Sequence, residues 1–168
     1  MIIETMCLLL DNSSKLSING NDQNKHGEIV LFIACKMQLT PVVKWLLERA
    51  GDFEIDPSIV DKHGNTSFIA ACAIHGNKGI INLLLKNSSK FNLDLNRQNN
   101  KGETAFITSC KISPRYKYNG GEEAARTIIK NASKLGIDLT IMDNCNKTGY
   151  DYLPDSDLKN DLAKILQL

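Results

Sequence analysis

Apolar residues in this chain fall into short paired clusters, not into long runs or strict alternation. One cluster of each pair is compact and holds small side chains: residues 30–37, 67–74 and 105–112, with Ala34-Cys35, Ala71-Cys72 and Ser109-Cys110 at matching places. The other carries Val42, Val43, Leu46 and Leu47, then Ile80, Ile81, Leu84 and Leu85, then Ala124, Ala125, Ile128 and Ile129. That spacing puts one apolar stripe on a helix. A turn residue precedes each compact cluster: Gly27, Gly64, Gly102 and, in a fourth place, Asn146. Glycine, and next best asparagine, accepts the positive φ of a tight turn. Thr40 reads as an N-cap with Pro41 first in the helix, and Glu122 and Glu123 suit a helix N-terminus. Each pair closes on an apolar-acidic step: Ile55-Asp56, Leu93-Asp94 and Ile137-Asp138.

The pairs are copies of one another. NKHGEIVLFIAC at 24–35, DKHGNTSFIAAC at 61–72 and NNKGETAFITSC at 99–110 begin 37 and then 38 positions apart. LLLDNSSK at 8–15 and LLLKNSSK at 83–90 are separated by the sum of those steps, 75. A weaker copy, DNCNKTGYDYL, starts at Asp143, 44 positions after Asn99. A fixed period of this length means a stacked array of supersecondary units.

A turn, two antiparallel helices and a return hairpin resemble the ankyrin repeat. TSFIAAC at 66–72 and TAFITSC at 104–110 stand where that family writes T-P-L-H-x-A-A; PVVKWLL at 41–47 and GIINLLL at 79–85 stand where it writes its I-V-x-x-L-L block. LDLN at 93–96 and NKTGYDYL at 146–153 match the closing block and a last-repeat motif. The resemblance spans nearly the whole chain. It implies an all-α solenoid of stacked helix-turn-helix units with short hairpin loops: a partial N-terminal repeat at 1–21, full repeats at 22–60, 61–98 and 99–142, and a capping repeat at 143–168. Two departures stand out. The family's histidine is replaced by Phe32, Ile69, Ile107 and Asp151, so apolar packing is expected where that histidine would bridge turns. The units also exceed the common length of ~33 residues by about four, which predicts one extra turn on each second helix. The last helix is expected to be capped by Ser156, with Leu158, Leu162, Ile165 and Leu166 on its apolar stripe and Lys159, Asn160, Asp161 and Lys164 opposite.

The chain has 168 residues, 42% hydrophobic, with a formal net charge of +1, enough for a packed core and too neutral for a strongly basic nucleic-acid binder or a polybasic membrane anchor. No apolar run approaches the ~18–20 residues of a membrane span. The start, MIIETMCLLLDNSSK, places Glu4 where a signal peptide has Lys or Arg, and reads as a core helix. Five cysteines without a CxxC pair favour free thiols and a cytoplasmic setting, or a host-cell cytosol if the chain is an effector.

Cys35, Cys72 and Cys110 recur with the period. One small buried residue per repeat is a packing position, and zinc would need four converging ligands. His75, near Cys72, lacks the third group that would orient a catalytic pair. His26 and His63 sit at equivalent turn positions, either contacting a partner or simply solvated. The segment 113–121, SPRYKYNGG, alternates Arg115, Tyr116, Lys117 and Tyr118: a possible grip on an acidic peptide or on bases, or a plain surface insertion.

No catalytic residue, cofactor or metal ligand is expected. The chain reads as a non-catalytic module that binds another protein through hairpin tips and the concave first-helix face. By the family's logic the exposed binding positions are Lys25, His26, Glu28, Lys36 and Met37; Lys62, His63, Asn65, Ala73 and Ile74; Asn100, Lys101, Glu103, Lys111 and Ile112; with Arg115, Tyr116, Lys117 and Tyr118 beside them. Their basic lean implies a partly acidic partner. Other readings are a targeting segment of a larger enzyme or secreted effector, motivated by the N-terminal half-repeat, and RNA binding through 113–121.

Overall fold

The computed structural model describes residues 19–73, 77–111, 121–154 and 156–167. The expected N-terminal helix, His75, Ile74, Ile112 and the segment carrying Arg115, Tyr116, Lys117 and Tyr118 lie outside the described residues. Those described form eight helices: α1 (Val30–Lys36), α2 (Thr40–Glu48), α3 (Ser67–Ala73), α4 (Lys78–Asn87), α5 (Ala105–Cys110), α6 (Gly121–Leu135), α7 (Gly149–Tyr152) and α8 (Asp157–Leu166). No strand occurs among them.

Contacts follow a ladder. The short helices α1, α3, α5 and α7 pack successively side by side, the longer α2, α4, α6 and α8 do the same, and each short helix packs on the longer one that follows it. This is the stacking that the doubled apolar pattern requires. A short helix is apolar almost all round: α3 buries Ser67, Phe68, Ile69, Ala70, Ala71 and Cys72, because it is covered from three sides. The longer helices bury one stripe, such as Ile80, Ile81, Leu84 and Leu85 on α4. The result is one continuous apolar core from Ile29 to Leu162. Phe32, Ile69 and Ile107, at the family's histidine position, are all buried, Phe32 and Ile69 within that core. Asp151, the fourth such residue, is exposed and closes a capping box with Thr148.

Helix starts follow the local chemistry with one exception. Thr66 and Thr104 Oγ1 accept from the amides of Ile69 and Ile107 at 3.1 and 3.2 Å, and Ser156 Oγ from Lys159 at 3.3 Å. At α1 the position is held by Ile29, which is fully buried and provides no cap. The exception is Thr40. It is the first residue of α2, not its cap; Leu39 precedes it without a side-chain bond. The Thr40 hydroxyl instead accepts from Asn77 Nδ2 at 3.0 Å. Asn77 in turn caps α4 through Oδ1, which accepts from Gly79 and Ile80 at 2.9 and 3.3 Å. One side chain therefore starts its own helix and ties it to the previous unit.

The extra turn takes two forms. In the third unit α6 runs unbroken to Leu135. In the first two, α2 and α4 stop at Glu48 and Asn87 and the added residues form separate hydrogen-bonded turns. All three units end alike. Ile55, Leu93 and Ile137 amides donate to the carbonyls of Ala50, Ser88 and Ala132 at 3.0, 2.9 and 3.0 Å, around the positive φ of Glu54, Asn92 and Gly136. That is a Schellman closure with its apolar residue just past the left-handed position. On α8, Leu158 and Leu162 are buried, whereas Ile165 is 55% exposed; it faces solvent, not the apolar stripe expected for it.

Candidate functional site

Each hairpin is built by one Asx residue. The Oδ1 of Asn24 accepts from the amides of His26 and Glu28 at 2.8 and 3.0 Å. Asp61 does the same for His63 and Asn65 (2.9 and 2.8 Å), Asn99 for Lys101 and Glu103 (2.9 and 3.0 Å), and Asp143 for Cys145 and Lys147 (2.8 and 3.2 Å). A short side chain that bonds two amides downstream fixes the loop without a strand. Gly27, Gly64, Gly102 and Asn146 then take φ of 80°, 77°, 75° and 57°.

Neighbouring hairpins are joined by a backbone ladder. Lys62, Asn100 and Asn144 amides donate to the carbonyls of His26, His63 and Lys101 at 3.0, 2.9 and 3.0 Å. Asn100 and Asn144 add side-chain bonds to the Lys62 and Asn100 carbonyls at 3.2 and 3.1 Å. The tips therefore form one continuous ridge. On it Lys25, His26, Lys62, His63, Asn100, Lys101 and Lys147 are exposed. Lys25, Lys62 and Lys101 make no salt bridge among the described residues. The acidic tip residues are turned inward. Asp61 points onto its own loop amides, and the Asp143 side chain is only 1% exposed.

The second set of expected positions, at the far end of the first helices, is different. Glu28 is not exposed: it is buried, with its carboxylate between Asn24 Nδ2 (2.8 Å) and Lys36 Nζ (2.7 Å). The cause is simple. The hairpin folds back over the last turn of α1, so residues eight apart meet. Glu103 and Lys111 repeat the pair at 2.7 Å, with Asn99 Nδ2 donating to Glu103 at 3.1 Å. Asn65, in the middle unit, is half-buried and bonds Asp61 Oδ2 at 3.0 Å. Hydrogen bonding by Lys36, then Asn24, holds Glu28 below the usual carboxylate range. At Glu103, burial pushes the other way, but the Lys111 and Asn99 bonds outweigh it.

Lys111 goes further. Its ammonium lies 3.2 Å from Asp143 Oδ2 and 4.3 Å from the Tyr152 ring centroid, and Tyr152 donates its hydroxyl proton to the same carboxylate at 2.6 Å. Burial alone would raise Asp143; Tyr152, the Cys145 and Lys147 amides and Lys111 together bring it down to about 2. Burial would lower Lys111, and Glu103, Tyr152 and Asp143 raise it instead. Lys36 and Lys111 are thus neutralised in place. Met37, 62% exposed, and Ala73 are exposed at this end, and Lys36 and Lys111, although paired, also reach the surface.

The periodic thiols are packing groups. Cys35, Cys72 and Cys110 are buried, and burial pushes Cys110 up to about 12 and the other two higher still. Cys145 is an exposed free thiol on the fourth hairpin.

The family model for ankyrin repeats in three copies matches residues 3–94, more than half of the chain. The chain belongs to the ankyrin-repeat family. No curated protein matches it. Ankyrin repeats are generally protein–protein interaction modules, and the family is typically non-catalytic. Beyond the matched span, α5 to α8 continue the same ladder of helix pairs. No described helix is long and apolar enough to cross a membrane.

Proposed function

We propose that this ankyrin-repeat chain binds an acidic segment of another protein along its hairpin ridge. The observation that carries the reading is the segregation of charge on the tips. Lys25, Lys62 and Lys101 are exposed and make no salt bridge among the described residues, while Asp61 and Asp143 each commit one carboxylate oxygen to two loop amides. A net charge of +1 therefore hides a one-signed ridge. Such a ridge speeds encounter with acidic surfaces and rejects basic ones. His26 and His63 widen the contact, and Met37 supplies an adaptable apolar edge. Lys36 paired with Glu28, and Lys111 paired with Glu103, brace the hairpins on the helices.

The full repeats at 22–60, 61–98 and 99–142, with the partial one at 1–21 and the cap at 143–168, form the binding unit in this reading, working in a reducing compartment that suits its buried thiols. Charge reversal at Lys25, Lys62 and Lys101 to Glu is expected to abolish partner capture while far-ultraviolet circular dichroism stays unchanged. Undiminished capture would contradict the proposal.

A further inference from the structure

The 75-residue relation between first and third units leaves the middle unit the odd one out. At the first interface the Asn21 carboxamide clamps the next unit's loop: Nδ2 donates to the Glu54 carbonyl at 2.6 Å and Oδ1 accepts from the Asp56 amide at 2.8 Å. At the third interface Asn96 repeats this on the Gly136 carbonyl and Asp138 amide at 2.9 and 2.8 Å. Gln23 and Gln98 add a second clamp, each donating to its own hairpin (Gly27 and Gly102 carbonyls, both 2.6 Å) and to the next unit (Val60 and Met142 carbonyls, 3.1 and 2.9 Å).

In the middle unit the same two positions are Ser58 and Val60. The register is unchanged, since the Ser58 amide bonds Asp56 Oδ1 at 2.9 Å just as the Asn96 amide bonds Asp94 Oδ1 at 3.0 Å. Serine is simply too short. The Asn92 carbonyl and Asp94 amide, which correspond to the clamped pairs on either side, have no partner among the described residues. They line a cavity of about 250 Å³ together with Ser58, Pro57, Phe68 and Arg97. A single water needs only roughly 10–15 Å³ of such space. The Arg97 side chain makes no bond there among the described residues.

We infer that this cavity is a binding subsite for the side-chain carboxamide of an asparagine or glutamine supplied by the partner protein. The pair presents one acceptor and one donor, in the arrangement that an Asn carboxamide satisfies at both flanking interfaces. A primary amide offers N–H and C=O on one edge. A carboxylate can accept from the Asp94 amide but has no proton for the Asn92 carbonyl, and the Asp94 carboxylate opposes it. A trans backbone amide points its two groups in opposite directions. Phe68 gives the apolar wall, and Arg97 can donate to a carbonyl of the incoming chain.

That the amide comes from a protein rests on the binding role proposed above; the subsite itself does not. The test is an amide-resolved NMR titration of the full chain with N-acetyl-asparagine N-methylamide and with its aspartate counterpart. The asparagine compound is expected to shift the Asp94 amide saturably, with the aspartate compound about tenfold weaker. Ser58→Asn, which completes the internal clamp, is expected to remove the response and raise the thermal midpoint. Asn96→Ser is expected to open a second, equivalent site that reports at Asp138. The Lys25, Lys62 and Lys101 reversal is expected to leave the titration intact, so the ridge and the subsite fail separately. Equal response to both compounds, no response at Asp94, or an unaltered response in Ser58→Asn overturns the inference.

Discussion

The Tyr152 hydroxyl donates to Asp143 Oδ2 at 2.6 Å, and this bond ties the last short helix to the hairpin that precedes it. Asp143 is among the most heavily bonded side chains of the described residues. One oxygen holds two loop amides, and the other takes Tyr152 and the Lys111 ammonium that reaches over from the third unit. Hydrogen bonds to a charged group contribute about 1.5–3 kcal/mol. Tyr152→Phe is therefore expected to lower stability, read as a lower urea midpoint with an unchanged slope.

The same carboxylate sets an acid limit. Its pKa falls from an ordinary 3.8 to about 2 in the folded chain, so the unfolded state binds the proton more readily. The stabilisation is full above pH 4 and is lost as pH falls towards 2. A shift of this size corresponds to about 2 kcal/mol. Unfolding free energies from urea at pH 5 and pH 2.5 are expected to differ by most of this contribution, and Asp143→Asn is expected to shrink the difference while destabilising the chain at pH 7.

The turn glycines are expected to be unforgiving. At Gly102, φ is 75° and an added Cβ would lie 2.7 Å from the Asn144 backbone nitrogen, the donor of the inter-hairpin ladder. Gly102→Ala combines a left-handed penalty with a broken rung and is expected to cost about 2 kcal/mol or more. At Gly51 an added Cβ meets nothing within 4 Å, and Gly51→Ala is expected to stay within about 0.5 kcal/mol. Thermal unfolding of the two variants side by side checks both.

Thiol labelling reads the packing directly. Cys145 is exposed, whereas burial pushes the pKa of Cys35, Cys72 and Cys110 upward. A maleimide at pH 7, followed by peptide mapping, is expected to modify Cys145 within minutes and the three periodic cysteines only on unfolding. Labelling of Cys72 at a rate near that of Cys145 would contradict a sealed core.

Much of this was legible in the sequence because it is periodic. The turn residue, the compact helix and the paired apolar stripe repeat at fixed steps, and the Asx residues that shape the hairpins sit at the head of every copy. What was not legible is what acts between copies. Asn21 reaches Glu54 and Asp56, Asn96 reaches Gly136, and Asn77 reaches back to Thr40; none of these polar residues stands out from its neighbours on the page. Thr40 read as a cap because its local setting is that of one. Glu28 read as exposed because hairpin-tip positions are, and only the fold-back of the loop onto α1 brings it to Lys36. The 75-residue offset carried a hint of that pairing, since Glu28 with Lys36 and Glu103 with Lys111 obey it while Asn65 and Ala73 do not.

The most direct measurement of the central claim is site-specific photo-crosslinking to the partner in cells. A photoreactive residue at Lys62, on the exposed ridge, is compared with one at Lys86, also exposed but on the second helix α4. Partner adducts from position 62 and none from position 86 are the predicted result; adducts from position 86 and none from position 62 would contradict recognition by the hairpin ridge.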